Sequence, residues 1–352
     1  MSVLDLPDKK RPAPSVPAME KWIHDAERET GVAPKRLGWV VASTVVVAAL
    51  QRALADDQEP AFLVKGGVYI EFHLGLAART TTDIDALFRG GLAEFEQRLD
   101  EALALPWGPF DLVRTEIEVI KAPKLVQPRR FWVKLMAKGR VWRRVKVEVS
   151  FPEGGSAKGA LPVVAPNIGF FGLQTPQHLL GMAMDYQVAQ KLHAASDPDE
   201  EGYENQRVHD ILDLLLIKNA FYTDVGWEHR DQDSGLDRPD TSLRDQATHP
   251  RVRVRSVSVI EDSDQQSGTR QQIVSLRAAC VEIFDYRADE AEQLGRPVRR
   301  WPPVLHINGY WRAAYPPLAA ALGVALTLEE AVAAVEAWVA EIDAADHEPE
   351  DG

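Results

Sequence analysis

A change in the spacing of apolar residues near position 175 constrains the fold of this chain more than any other feature. Before it, short runs rich in β-branched and aromatic residues end at Gly or Pro, which is typical of strands. After it, apolar residues recur every three or four positions, which is typical of amphipathic helices. The chain is therefore predicted to be an α/β (α+β) protein, with a mixed, antiparallel-rich sheet followed by a helical C-terminal domain.

The same patterns predict the individual elements and the domain limits. Strands are expected at 62–64, 83–88, 110–120, 130–137, 141–151 and 163–171. Helices are expected at 19–30, 34–55, 69–77, 180–195, 205–221, 271–287, 309–322 and 328–345, with one more ending near Leu103. We expect a flexible tail at 1–17, a first domain at 18–174, a helical domain at 175–345 with a polar insertion at about 226–268, and a short tail at 346–352.

Composition restricts the class and compartment. The 352 residues are 45% hydrophobic and 26% charged, as in globular proteins. The most apolar stretch, 37–54, is interrupted by polar residues and is too short for a comfortable membrane span. The N-terminus has no apolar signal core, and the single cysteine, Cys280, has no internal partner for a disulfide. These features predict a cytoplasmic protein without membrane contact.

Charge is distributed unevenly along the chain. The net charge is −13, yet residues 121–147 hold ten basic residues and no acidic one. Aromatic residues interleave with these charges at Phe131, Trp132 and Trp142, a pattern that favours RNA binding. A solvated outer face of a β-meander is the alternative interpretation. The predicted RNA-binding residues are Lys134, Lys138, Arg140, Arg143 and Arg144.

The triplet Asp83-Ile84-Asp85 carries the clearest chemical signal. Residues two apart on a strand project to the same face, so both carboxylates can reach one pair of divalent cations. The strand 144–150 alternates three valines with polar residues, which leaves Glu148 available as a third ligand for Mg²⁺ or Mn²⁺. A solvated turn or helix cap for the aspartates, and a surface pair between Glu148 and Lys146, are the alternatives.

Three carboxylates on neighbouring strands, after a strand that ends in Gly-Gly, suit nucleotidyl transfer. One metal lowers the pKa of the attacking hydroxyl and the other neutralises the leaving pyrophosphate. The turn at Gly66-Gly67 lets backbone N–H groups approach a triphosphate.

The predicted helices at 180–195 and 205–221 carry further charged groups. Lys191 lies among apolar residues, so an inward ammonium there needs a partner, and a triphosphate is a plausible one. Arg207, Asp210 and Asp213 are three apart and share a helix face. Asp210 is expected to orient Lys191 or to contact the nucleotide, with Arg207 on a phosphate. Simple pairing of Arg207 with Asp210 is the alternative.

Together these residues resemble the AbiEii/AbiGii-type nucleotidyltransferase toxins of bacterial type IV toxin-antitoxin systems, which include MenT-like toxins. The resemblance spans about 60–320 and rests on several motifs in the family's order. They are Lys65-Gly66-Gly67-Val68, Arg79-Thr80-Thr81-Thr82-Asp83-Ile84-Asp85, Val147-Glu148-Val149-Ser150, Ala189-Gln190-Lys191-Leu192-His193-Ala194, Arg207-Val208-His209-Asp210-Ile211-Leu212-Asp213-Leu214 and Phe284-Asp285-Tyr286-Arg287 with Trp311.

The resemblance implies an enzyme that transfers nucleotides from an NTP to RNA, most plausibly the tRNA 3′ acceptor end, and so blocks translation or serves phage defence. It implies a cognate antitoxin encoded nearby, and we expect a monomer. The implied catalytic residues are Asp83, Asp85, Glu148, Lys191 and Asp210. The implied nucleotide-binding residues are Lys65, Gly66, Gly67, Arg79, Thr82, Lys191 and Arg207.

Two further hypotheses stay open from the sequence. The acceptor is a small hydroxylated molecule such as an antibiotic, although a cationic acceptor of that kind would prefer an acidic cleft. Alternatively, the chain is a catalytically weak nucleotide- or RNA-binding module. Val68 favours the last hypothesis, because the family usually has Thr or Ser there and valine lacks a hydroxyl for a phosphate.

Overall fold

The computed structural model describes residues 6–75, 78–200, 202–222 and 262–345, and within 262–269 only the backbone. The predicted insertion at 226–268 lies outside the described residues except for 262–268, and the tail at 346–352 lies outside them entirely. The helices are α1 (Val16–Thr30), α2 (Pro34–Leu50), α3 (Gly66–Leu74), α4 (Phe95–Leu103), α5 (Met184–Ala195), α6 (Val208–Phe221), α7 (Asp262–Gln293), α8 (Gly309–Leu322) and α9 (Leu328–Ala344). The strands are β1 (Phe62–Lys65), β2 (Asp83–Phe88), β3 (Asp111–Arg114), β4 (Glu118–Val119), β5 (Arg129–Ala137), β6 (Arg140–Ser150), β7 (Ala160–Val163) and β8 (Leu179–Met182).

The described strands form one mixed sheet. Their order is β3-β5-β6-β2-β1-β8-β7, and β4 also pairs with β5. The β2–β6 and β1–β8 pairs are parallel, whereas the other pairs are antiparallel. The structure therefore confirms the predicted mixed, antiparallel-rich sheet followed by a helical C-terminal region.

The two faces of the central strands differ in chemistry because side chains alternate along a strand. On β5, Phe131, Val133 and Leu135 are fully buried. On β6, Val145, Val147 and Val149 are buried as well and face the same core, with Val147 opposite Phe131 and Val145 opposite Val133. The helix α2, which is apolar along most of its length, packs against β6 on this side. The opposite face of the sheet carries the polar side chains of the same strands, and the candidate site lies on that face.

The C-terminal helices assemble on α5. It packs against α6 and α7, while α6 also contacts α8 and α9. Trp311 and Trp338 are each almost fully buried in this region. A capping box at the start of α9, in which Thr327 and Glu330 bond each other's backbone N–H groups, fixes where that helix begins.

Two element predictions are wrong between residues 160 and 195. The predicted strand at 163–171 is a strand only up to Val163, and its end is a short 3-10 turn at Gly169–Phe171. The predicted helix at 180–195 begins at Met184, because β8 occupies Leu179–Met182 beside β1. Gly181 lets α3 pack closely on this strand, since a Cβ there would lie 1.8 Å from the Tyr69 ring. The sheet thus takes its last strand from beyond residue 175.

Among the described residues no single helix is long and apolar enough to cross a membrane. Of the described helices, α1 and α2 together reach that length and hydropathy, but they are bent by 117° relative to each other.

Candidate active site

Charged residues form a transverse row across four neighbouring strands, which we call the carboxylate row. In register, Arg130 of β5 lies beside Glu148 of β6, Glu148 beside Asp85 of β2, and Asp85 beside Lys65 of β1. Arg130 Nη2 lies 2.8 Å from Glu148 Oε1, so these side chains share a face. The parallel pairing of β2 with β6, two strands far apart in the chain, therefore brings two predicted catalytic carboxylates side by side.

A second row lies one pleat away, and we call it the tryptophan row. It joins Trp132 of β5, Lys146 of β6 and Asp83 of β2. Lys146 Nζ lies 2.8 Å from Asp83 Oδ2 and 3.2 Å from Glu148 Oε1. Because both carboxylates contact one ammonium, Asp83 and Glu148 converge on a common point. The pairing of Glu148 with Lys146 that the sequence left open is present.

Asp85 is held against the turn that begins α3. Gly66 has a φ of +65°, and a Cβ at this position would lie 2.4 Å from Asp85 Oδ2. Only glycine fits this close approach without strain. Burial raises the pKa of Asp85; Lys65 opposes that shift, whereas the negative charges of Asp83 and Glu148 add to it.

The glycine turn is fastened to the helical region by two glutamines of α5. The Gly66 N–H donates to Gln187 Oε1 at 2.8 Å, and Lys65 Nζ donates to Gln190 Oε1 at 3.1 Å. Burial lowers the pKa of Lys65 to about 8, with further lowering by Arg287 and Lys191 and an opposing effect of Asp85. A cation in such a setting gains from an anionic ligand.

Lys191 lies in a buried network that joins both halves of the molecule. Its Nζ contacts Asp210 Oδ1 at 2.6 Å and Asp213 Oδ2 at 2.7 Å. Arg79, from the segment before β2, donates to both oxygens of Asp213. Burial lowers the pKa of Lys191, but the two carboxylates outweigh it and raise the pKa overall. The structure thus brings Lys191 and Asp210 into contact, which is one of the two roles expected for Asp210.

Another buried carboxylate pairs with cations close to this network. Glu153, after β6, accepts from Arg287 Nη2 of α7 at 2.8 Å and from Gln190 Nε2 at 3.0 Å, and it also pairs with Lys124. Burial lowers the pKa of Arg287 to about 10. Basic groups from a loop and two helices, Lys124, Lys191 and Arg287, therefore lie close enough to Lys65 to influence its charge.

Two of the predicted nucleotide-binding residues lie at the surface. Thr82 is exposed, and the Arg207 side chain is 55% exposed and lies 4.0 Å from Asp210.

Val68, whose missing hydroxyl suggested weak catalysis, is completely buried in the core. Its side chain packs there, and the hypothesis of weak catalysis stays a prediction.

The predicted RNA-binding residues divide between two faces of the β5–β6 hairpin. Lys134 and Arg144 are register partners, and they follow the tryptophan row on the same face. Arg143 turns the other way, where its Nη2 donates to Glu20 of α1 at 3.0 Å and its guanidinium lies over Trp142. Lys138 and Arg140 are exposed at the hairpin turn. Only part of the basic tract therefore borders the carboxylates.

The aromatic residues of this hairpin divide in the same way. Phe131 and Trp142 are buried, whereas Trp132 is 38% exposed. The interleaving pattern that favoured RNA in the sequence thus reduces to a single accessible ring.

The metal prediction rests on donor chemistry. Within the described residues, no group of three or more His, Cys, Asp and Glu side chains is placed to hold a metal ion as it stands. The three predicted ligands are all carboxylates, the donors that Mg²⁺ prefers. Two of them share one cationic partner, the Lys146 ammonium. The donor set fits a divalent cation whose entry displaces Lys146.

Several site residues escaped the sequence reasoning. Gln187, Glu153, Lys124 and Arg130 carry no spacing signal, because their partners are strands and helices distant in the chain. Arg287 is the exception, since it belongs to the motif Phe284-Asp285-Tyr286-Arg287 that the family resemblance includes. Its inward position on α7 could have been assigned from that motif.

A mixed sheet with paired carboxylates on β2, a third on β6 and a lysine-carboxylate network on the helices is the arrangement expected of a nucleotidyltransferase. The family model described as nucleotidyl transferase AbiEii toxin, type IV toxin-antitoxin system, matches residues 48–285. This is more than half of the chain, which therefore belongs to the AbiEii nucleotidyltransferase toxin family.

Other comparisons add less. Among solved structures, the nucleotidyltransferase toxin MenT4 from Mycobacterium tuberculosis H37Rv is 15% identical, with 94% of this chain and 97% of that chain covered and a TM-score of 0.38. Comparison with curated proteins gives no match. The family assignment therefore rests on the sequence match, and it makes the protein an enzyme of nucleotidyl transfer.

Proposed function

We propose that this toxin transfers a nucleotide from an NTP to the 3′ end of an RNA, with tRNA as the expected acceptor, and that it depends on Mg²⁺ or Mn²⁺. One observation carries the proposal: Asp83, Asp85 and Glu148 lie on neighbouring strands of one sheet face, with lysines on the β1 side and Lys134 and Arg144 on the β5 side. This arrangement provides cations for an anionic donor on one side of the carboxylates and for an anionic acceptor on the other side.

Asp83, Asp85 and Glu148 would hold the divalent metal. When bound, the metal supplies charge neutralisation at the phosphates and lowers the pKa of the attacking hydroxyl. The raised pKa of Asp85 reflects burial and the neighbouring negative charges. An added cation favours its ionised form, so metal binding and ionisation of this carboxylate reinforce each other.

The donor nucleotide fits the β1 side of the carboxylates. Lys65 and Lys191 lie there, and the basic groups around Glu153 raise the local positive potential. Lys191 holds its orientation through Asp210 and Asp213, so its ammonium is fixed before a phosphate arrives. This preorganisation lowers the cost of ordering the triphosphate for in-line attack.

The acceptor RNA fits the β5 side, beyond Glu148. Lys134 and Arg144 extend the cleft face there, and they suit a phosphate backbone. A cationic antibiotic would need acidic residues on this side, but the acidic residues of the site are the carboxylates that we propose hold the metal. The small-acceptor hypothesis is therefore the less favoured one.

A labelling experiment tests the proposal. Purified protein is incubated with total tRNA, Mg²⁺ and each labelled NTP in turn, and the RNA is separated on a denaturing gel. We expect label on tRNA with at least one NTP, and none with Asp85→Asn or after chelation of the metal. Label on an aminoglycoside but not on RNA would support the small-acceptor hypothesis instead, and no transfer to either acceptor would contradict the proposal.

The cellular role follows from the family. Its members belong to type IV toxin-antitoxin systems, and we propose that a cognate antitoxin is encoded nearby and that the toxin acts in the cytoplasm on translation, with phage defence as the expected benefit. A monomeric state stays a prediction, which sedimentation of the purified protein measures directly.

A further inference from the structure

We infer that Trp132 is a stacking platform for a base at the 3′ end of the acceptor RNA. The inference rests on the proposed function and adds a subsite to it, assigned to one residue on β5. It identifies the acceptor as a single strand with an unpaired base, rather than as a duplex recognised only by its backbone.

The orientation of the Trp132 ring follows from its neighbours on the strand. Trp132 is 38% exposed, while the adjacent Phe131 and Val133 are fully buried on the other face. Arg130, two residues earlier and therefore on the same face, contacts Glu148. The Trp132 ring consequently stands on the face that carries the predicted catalytic carboxylates.

The position of Trp132 along the sheet suits an acceptor base. It lies in register with Lys146, and Lys146 lies in register with Asp83. Two strand spacings separate Trp132 from Asp83, which is roughly 10 Å between backbones. A base near the 3′ end can rest on the ring while the terminal ribose hydroxyl lies at the carboxylates.

The charges around Trp132 specify a nucleic acid rather than an apolar partner. Lys134 and Arg144 are register partners just beyond it on the same face, and Arg130 lies just before it. An exposed tryptophan between basic side chains is the arrangement by which proteins bind single-stranded nucleic acid, with the ring on a base and the cations on the phosphates. The donor nucleotide has its own cations on the opposite side, at Lys65 and Lys191.

A thermodynamic cycle tests the stacking directly. The probe is a short single-stranded RNA ending in CCA, labelled at its 5′ end, and its affinity is measured by fluorescence anisotropy. The same RNA is also made with an abasic nucleotide at the last or at the next-to-last position. The proteins are the parent, Trp132→Ala and Trp132→Phe.

We expect Trp132→Ala to weaken binding of the intact RNA by roughly five- to 100-fold, the range seen for one stacked base. An abasic nucleotide at one of the two positions should weaken binding to the parent by a similar factor. That abasic RNA should bind Trp132→Ala and the parent almost equally, because the ring and the base act as one contact. Trp132→Phe should keep most of the affinity.

Controls separate this inference from folding and from the proposed function. Tyr310→Ala removes another exposed ring, on α8, and should bind RNA like the parent. The abasic RNAs test the parent protein itself, so the result stands even if Trp132→Ala unfolds. If the parent labels tRNA but binds both abasic RNAs as tightly as the intact RNA, the stacking inference is overturned and the proposed function stands. If the parent neither labels nor binds RNA, the stacking inference and the proposed function are both overturned.

Discussion

At the scale of single residues, Lys146 is the most informative side chain of the site. Its ammonium contacts both Asp83 and Glu148, and the hydrogen bond to Asp83 raises the pKa of Lys146 despite partial burial. The single positive charge of Lys146 thus pairs with two carboxylates that a divalent metal would also need. The metal proposed to bind there would have to break both ion pairs, so Lys146 would compete with it.

Replacing this lysine by an uncharged chain of similar length should tighten metal binding. In Lys146→Met the carboxylates lose their competitor; the two partly exposed ion pairs together contribute about 1 kcal/mol, so we expect roughly fivefold higher affinity for Mn²⁺. Calorimetric titration with Mn²⁺ measures it. Lys21→Met, which removes an exposed ion pair with Asp25 on α1, serves as the control. Equal or weaker Mn²⁺ affinity in Lys146→Met would contradict the competition.

The glycine turn offers a second test at this scale. Gly66→Ala places a Cβ at 2.4 Å from Asp85 Oδ2 in a left-handed conformation, which costs about 1–2 kcal/mol from the backbone alone. Gly67→Ala places a Cβ at 3.1 Å from Thr81 and 3.4 Å from Arg79 Nη2, and it has no positive φ to maintain. Urea denaturation should therefore show a clear loss of unfolding free energy for Gly66→Ala and a smaller one for Gly67→Ala. Equal losses would mean that the contact with Asp85 does not decide the choice of residue.

At the scale of elements, two adjacent arginines of the β5–β6 hairpin have different roles. Arg143 holds the hairpin against α1 through Glu20, and Arg144 lies on the opposite face in register with Lys134. The sequence places them next to each other in one basic tract. Only the alternation of the strand shows that their side chains leave on opposite faces.

Charge reversal should separate these two tasks. Arg144→Glu is expected to weaken RNA binding and to flatten its dependence on salt, by a log-log slope of about 0.7 for one lost single-strand phosphate contact. Arg143→Glu should leave that slope near the parental value and instead lower the melting temperature, because it faces Glu20 with a like charge. Salt titrations of RNA binding and thermal melts measure both. A steeper loss of RNA affinity in Arg143→Glu would reverse the assignment of faces.

At this scale, the sequence predicts best those features whose pattern lies within a few neighbouring residues. Alternation along β2 and β6 predicted the faces of Asp83, Asp85 and Glu148 without knowledge of their partners. The predicted strand at 163–171 is wrong because its apolar residues serve a 3-10 turn packed in the core, and apolar content alone does not distinguish the two. The strand β8 was missed because four apolar residues directly before a helix continue its pattern.

At the scale of the whole molecule, the site exists because two regions meet. Asp213 of α6 binds both Lys191 of α5 and Arg79 of the segment before β2, and it is completely buried. No spacing in the sequence reveals that Arg79 reaches across to Asp213, since 134 positions separate them. The motifs therefore identified the participants, whereas the contacts between the sheet and the helices required the structure.

Removing this link should destabilise the protein in a pH-dependent way. Burial raises the pKa of Asp213, but Lys191 and Arg79 outweigh it and lower the pKa from 3.8 to about 2. Above the unfolded-state pKa the ionised carboxylate stabilises the folded state, and Asp213→Asn should lose about 3 kcal/mol there by leaving buried cations unpaired. As the pH falls below 3.8, the unfolded state takes up a proton before the folded state does, so the parent loses that advantage and the variant does not. The gap between parent and variant in urea denaturation should therefore narrow between about pH 4 and pH 2. Asp25→Asn, at an exposed ion pair, should show almost no gap at any pH, and a gap for Asp213→Asn that stays constant across this range would place the stabilisation elsewhere than in the charge of Asp213.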